Sequence, residues 1–354
     1  MSPQHQPDTN DMIARQGPFT VRIGFDAELA TTVIALSYTD ATDQARDITV
    51  KITPELGSNM FGFRVGEHDL IYYERDRLKR RDFTGNFVLW PLPNRVRDKR
   101  YHYRGRTYSL EAIHRPQGNA VLIHGLVFDQ PWRYEQPVIT AESVSVTTFI
   151  DFTPATPHYD AYPFDSRLAL TFTVKPGEGE VTVTYRVSNN GTQHLPFGFA
   201  MHPYFALLSG REQTYVSLPA EAVMEADEEL LPTGRIFDIN KIMYAMYDLR
   251  QPLPLHLLKL DHVYYTGLNR GAAAVIDYRQ QNIQLHISTT DDFSHIVIYT
   301  PRSEPYFCLE HQTCSTDAVN LANRGKEYRE LAHLLEVAPG ESASGTIRYR
   351  VQFE

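Results

Sequence analysis

A chain of 354 residues has room for one large or two ordinary domains, and its apolar content supports a sizeable core. Its formal charge of −9 excludes an electrostatic nucleic-acid footprint, because the arginines between Arg75 and Arg106 are local and interleaved with acids. Two cysteines, Cys308 and Cys314, are too few for a disulfide framework or a four-thiolate zinc site. They fit a reduced, cytoplasmic setting. No apolar run reaches the roughly 18 residues of a membrane span, and the first residues lack the order of a secretory signal, so a soluble protein is expected.

Met1 to Gly17 is polar, with little to bury, and reads as a mobile tail. Strands follow: Thr20 to Phe25, Thr32 to Tyr38 and Ile48 to Ile52, then a hairpin over Tyr101 to Tyr108 turning at Gly105. Arg133 to Ala141 with Ser143 to Phe152 reads as a further pair. Leu168, Leu170, Phe172 and Val174 alternate with small or polar residues, as do Val181, Val183, Tyr185 and Val187 after a Pro/Gly turn, which predicts a half-buried hairpin. Alternation returns at Ile283 to Ile287, Ile296 to Tyr299, Tyr306 to Glu310 and Thr346 to Phe353. Helical periodicity is confined to Leu78 to Arg81 and Lys326 to Leu335. Many short strands with few helices predict an antiparallel all-β architecture. With no linker or internal repeat, residues 18–354 read as a single domain of two large packed sheets.

The stretch from Leu195 to Leu207 carries the first chemical signal. Leu195, Phe197, Phe199 and Met201 alternate with Pro196, Gly198, Ala200 and His202, so one face is core and the other a hollow with an imidazole over it. Pro203 is expected to end that strand at His202. A hydrogen-bonded wall residue beside an aromatic cluster is the plainer reading of His202. Trp90 to Arg95 carries two prolines and delivers a guanidinium fork suited to paired hydroxyls or a carboxylate, with a surface ion pair as the alternative. His124 follows an apolar run and precedes Gly125, where the backbone can turn sharply. Asp261 ends the apolar run from Leu257, where a turn role is the simpler one. In Phe307 to Gln312 the alternation sends Phe307 and Leu309 one way and Cys308, Glu310 and Gln312 the other, so Glu310 needs a partner or a purpose. The metal-ligand spacings and phosphate-cradling glycine loops are absent from the sequence.

At this point the residues resemble a known family. Thr84 to Arg95, His124-Gly125 before Pro131-Trp132, His202-Pro203-Tyr204-Phe205, Leu230 to Gly234, Leu260-Asp261-His262 and Cys308 to Thr313 are similar to the ordered signature of the aldose 1-epimerase, or galactose mutarotase, family. The resemblance implies a single-domain antiparallel β-supersandwich with a small-molecule sugar in a cleft on one sheet, and no cofactor. It implies Glu310 as catalytic base, His202 as catalytic acid, and Arg95, His124 and Asp261, with Asn94 beside Arg95, as sugar-binding residues. Two departures bear on sugar preference: Ala206 stands where the family often has Asn, and Leu126-Val127-Phe128 replaces an aromatic, a small residue and Arg.

Anomer exchange requires a cyclic aldose to lose the proton of its C1 hydroxyl while its ring oxygen gains one. One acid and one base suffice. The expected function is therefore interconversion of the α and β anomers of a hexose. The alternatives are a hexose-6-phosphate 1-epimerase using the arginines before Asn94, a sugar-binding protein without turnover, and a glycosidase pairing Asp261 with Glu310. The oligomeric state is open.

Overall fold

The computed structural model describes residues 11–114, 122–176, 179–260 and 263–353, with Val263 described by its backbone alone. The alternating runs form three main antiparallel sheets. Six strands between Met12 and Asp69 make a meander in chain order. A ten-stranded sheet carries the predicted hairpin at its centre: Ser166–Val174 pairs with Glu180–Asn189, which pairs in turn with the long Ser342–Phe353. The third sheet has seven strands, β1 (Asn86–Leu89), β2 (Ala200–Ala206), β3 (Ala220–Ala226), β4 (Pro232–Asp238), β5 (Val263–Leu268), β6 (His295–Tyr299) and β7 (Tyr306–Gln312). Their spatial order is β4-β3-β5-β6-β7-β2-β1. The expected all-β supersandwich with few short helices is thus the observed class. The helical pieces foreseen near Leu78 and Lys326 are Arg75–Lys79 and Lys326–Ala332.

Period-two patterning explains the packing. On the seven-stranded sheet Met201, Phe205, Phe307, Leu309, Ile296 and Ile298 turn inward and join one apolar core with Leu168, Phe172, Val183 and Tyr349 of the ten-stranded sheet. Phe199 packs on Tyr185 with ring centroids 4.5 Å apart, and Phe63 of the meander meets Tyr349 edge-on at 6.0 Å, which ties the sheets together.

Two local expectations differ. Met12–Gln16, expected in a mobile tail, is an edge strand paired with Phe19–Asp26. Its side chains are almost all exposed, so backbone hydrogen bonds hold it and no apolar pattern announces it. The strand through His202 does not end there but runs on to Ala206. Pairing with β7 is made at Ala200↔Gln312 and resumes at Tyr204↔Cys308, so Pro203, which has no N–H to give, falls in a gap of the ladder.

Candidate active site

The face of the seven-stranded sheet turned away from the core brings the candidate residues together. His202 pairs with Phe87 of β1, and between the two pairs just named it stands level with Glu310 of β7. Glu310 pairs with Val297, Val297 with Tyr264 and Tyr264 with Met224, so one row of side chains crosses the sheet. His202 Nε2 lies 3.2 Å from Glu310 Oε1, both side chains being almost wholly buried. The Nε2 of Gln312 donates to Glu310 Oε2 at 3.2 Å.

Three rings fix the imidazole. Phe87 stacks on His202 with centroids 4.7 Å apart and planes 18° apart, His124 meets it edge-on at 4.8 Å, and Tyr204 tilts against it at 5.3 Å. Phe83 and Phe128 extend this aromatic wall, Phe83 packing edge-on against His124 at 4.7 Å. On the other flank Tyr204 stacks on Tyr306 at 4.3 Å, and Tyr306 on Tyr72 at 5.4 Å.

The loop from Trp90 to Arg95 supplies the rest. Its Trp90-Pro91 peptide bond is cis, and Asn94 has a left-handed backbone with φ 59°. The carbonyl of Asn94 accepts from the His124 amide at 2.7 Å, and its side-chain oxygen accepts from Arg95 Nη1 at 3.1 Å. One residue thereby sets both neighbours. Two glycines permit this closeness. A Cβ on Gly125, itself at φ 70°, meets the Trp90 carbonyl oxygen at 2.4 Å, and a Cβ on Gly198 meets the Cys314 sulfur at 2.2 Å.

Burial pushes the Glu310 carboxyl up to about 8, opposed by the hydrogen bond from Gln312 and by the positive charge of Arg95. Burial likewise lifts Tyr264 to about 12 against the pull of Arg95, and holds the Cys308 thiol and the Tyr204 phenol protonated. Arg95 is half-buried and makes no ion pair among the described residues. Four of the eight other arginines between Arg75 and Arg106 are paired with acids: Arg75 with Glu28, Arg77 with Glu74, Arg97 with Asp227, Arg104 with Glu336.

Of the residues singled out in the sequence, His202, Glu310 and His124 converge, and Asn94 and Arg95 join them from the loop. Asp261 lies outside the described residues, and with it the carboxylate pair of the glycosidase alternative. Among the described residues no group of three or more His, Cys, Asp or Glu side chains is arranged to hold a metal ion, and no helix is long and apolar enough to cross a membrane. Phe87, Phe83, Tyr204 and Tyr306 were not assigned site roles from the sequence. The alternation of Phe87 with Asn86 and Val88 on an apolar strand carried the signal for the first of them.

Residues 42–350 match the sequence model of the aldose 1-epimerase family. The chain belongs to that family. YihR of Escherichia coli (strain K12), an uncharacterized protein, is 27% identical over 251 residues, covering 68% of this chain and 76% of the relative. The galactose mutarotase of Sus scrofa is 28% identical over 189 residues, about half of each chain. Among solved structures, a galactose mutarotase-like protein from Clostridium acetobutylicum superposes with a TM-score of 0.80 at 18% identity, over 94% of this chain and 98% of its own. Galactose 1-epimerase from Lactobacillus acidophilus gives 0.71 at 14% identity, over 97% and 98%. At these identities the structural likeness establishes the fold.

Proposed function

We propose that this member of the family is a mutarotase that interconverts the α and β anomers of an unphosphorylated hexose by ring opening and reclosure. The observation that carries the reading is the 3.2 Å separation of His202 Nε2 and Glu310 Oε1, buried side by side on one sheet face next to Arg95. The two sugar oxygens that exchange protons are both bonded to C1, so an acid and a base must stand as close neighbours on one side of the ring.

Glu310, ionised, takes the proton of the C1 hydroxyl, and protonated His202 gives one to the ring oxygen. The ring C1–O bond breaks, the aldehyde rotates, and reclosure on its other face reverses both transfers. The pair carries one proton throughout. Arg95 and His124 hold sugar hydroxyls in this reading, with Asn94 fixing both, and Arg95 also favours the ionised form of Glu310. The partly buried phenyl ring of Phe83, which stacks on the buried Phe87, offers an apolar wall for C–H faces of the sugar. The preference for an unphosphorylated sugar rests on three of the four arginines in the cluster before Asn94 being engaged, Arg75 and Arg77 with acids and Arg81 with the Asp129 carbonyl.

Polarimetry of freshly dissolved α-glucose, α-galactose and their 6-phosphates tests the proposal. Faster equilibration of a free hexose supports it. Response of the phosphorylated sugars alone moves the assignment to a hexose-6-phosphate epimerase, and saturable binding with no acceleration of any aldose points to a sugar-binding protein.

A further inference from the structure

We propose that Gln312 is a positioning residue that commits one oxygen of Glu310 to the sugar and holds the other; this deepens, and rests on, the acid/base reading above. Gln312 closes β7 two residues beyond Glu310, so both side chains leave the same face of the strand, and both are fully buried. The backbone around Gln312 is fixed on both sides, by pairing with Ala200 and His295 and by the Ser294 amide, which donates to its carbonyl at 3.1 Å. Its Nε2 donates to Glu310 Oε2, while Oε1 faces His202 Nε2, each at 3.2 Å. The two carboxylate oxygens are therefore unlike. Oε2 is occupied by a neutral donor, and Oε1 is the oxygen beside the acid.

The amide pays for this contact. With its N–H turned to Glu310, Gln312 Oε1 is buried without a hydrogen-bond partner among the described residues, a penalty that an apolar side chain of similar size avoids. Retaining the amide makes sense if the donor serves the carboxylate. A donated N–H favours the ionised carboxyl and works against the desolvation that raises it. Unlike a histidine or a lysine, a carboxamide does this without gaining or losing a proton itself. The other titratable groups near the Glu310 carboxyl are His202 and Tyr204 from β2, Cys308 on its own strand, Tyr264 from β5 and Arg95 from the loop. Tyr204 and Cys308 are kept neutral by burial.

The test compares wild type with Gln312→Met, which keeps the volume and removes the donor, and Gln312→Glu, which replaces the donor with a second carboxyl. The readouts are kcat and KM for anomer exchange, the pH dependence of kcat/KM, and titration of the Glu310 carboxyl by infrared difference spectroscopy, with Glu310→Gln marking the band. Gln312→Met should lower kcat by about 10- to 100-fold with KM within about threefold. Its acid limb and its Glu310 titration should both move to higher pH, and Gln312→Glu should move them further. Loss of kcat with the limb and the titration unmoved marks a packing role and overturns the proposal, as does wild-type behaviour of Gln312→Met. If Gln312→Met does not fold, the titration in Gln312→Glu decides alone. If wild type accelerates no aldose while the Glu310 titration still rises in Gln312→Met, the positioning contact stands and the mutarotase reading falls.

Discussion

Phe87 lies flat on the imidazole of His202, with 4.7 Å between ring centroids and 18° between planes, and His124 closes the same ring edge-on. The stack leaves the His202 ring little freedom to rotate, so its Nε2 stays aimed at Glu310. Replacing Phe87 by Leu keeps an apolar side chain on β1 but removes the flat surface. The expected result is a fall in kcat of roughly tenfold with a smaller change in KM, since the loss is one of orientation. Steady-state kinetics of the variant, with its circular dichroism as a control of folding, checks this. An unchanged kcat would show that the stack is only packing.

In the proposed mechanism Arg95 acts on substrate and base together. Its charge opposes the burial that raises Glu310, and its guanidinium is held by Asn94 with no ion pair among the described residues. Arg95→Ala should raise KM by about 10- to 100-fold, the worth of a charge-assisted hydrogen-bond set. It should also shift the acid limb of kcat/KM to higher pH. A KM change with an unmoved limb would separate Arg95 from the carboxylate.

Much of this site was legible in the chain. The alternation in Phe307 to Gln312 correctly divides core from site, and that in Leu195 to His202 sends Phe199 and Met201 inward and His202 outward. What the sequence could not carry is register. That His202 faces Phe87 on one side and Glu310 on the other depends on three segments far apart in the chain meeting in one sheet, which no local period encodes. Pro203 misled for a related reason: its effect depends on whether a partner strand needs its N–H, and the gap in the ladder removes that need. The role of Gln312 was within reach, because its i, i+2 relation to Glu310 is a local fact. The edge strand Met12–Gln16 was not, since nothing in its side chains is buried deeply enough to leave a pattern.

Glu310 predicts how stability changes with pH. Its folded pKa, raised by burial to about 8, lies above the ordinary value of 4.5, so the folded state binds the extra proton between those limits. Stability from this group is fully present below about pH 4.5 and is lost as pH rises through about 8. Glu310→Gln removes that dependence. The Tm of the variant should therefore gain on wild type as pH rises across this window and the gap should level off above it. Thermal unfolding at a series of pH values measures the gap, and a constant difference would mean that Glu310 is not held protonated in the empty site.

His295 and His311 act in the opposite sense. Burial depresses both to about 3, with the nearby His333 adding to the effect at His295. They stay neutral in the fold but take up protons on unfolding below their ordinary value of 6.5. Their contribution is present above that pH and is lost as pH falls towards 3. His311→Gln should flatten the fall of Tm with acidification. Superimposable Tm curves for variant and wild type would contradict this.

In the proposed reaction His202 and Glu310 exchange the protons of ring opening. Its most direct test is the pH dependence of kcat/KM for anomer equilibration in wild type, His202→Asn and Glu310→Gln. Wild type should give a bell whose two limbs belong to the coupled pair, falling in acid where both groups hold a proton and in alkali where neither does. Each variant should lose about 10²- to 10⁴-fold in kcat and keep a single ionisation, His202→Asn without the alkaline limb and Glu310→Gln without the acid one. Retention of both limbs in both variants, or near-wild-type turnover by either, would assign the proton transfers to other groups.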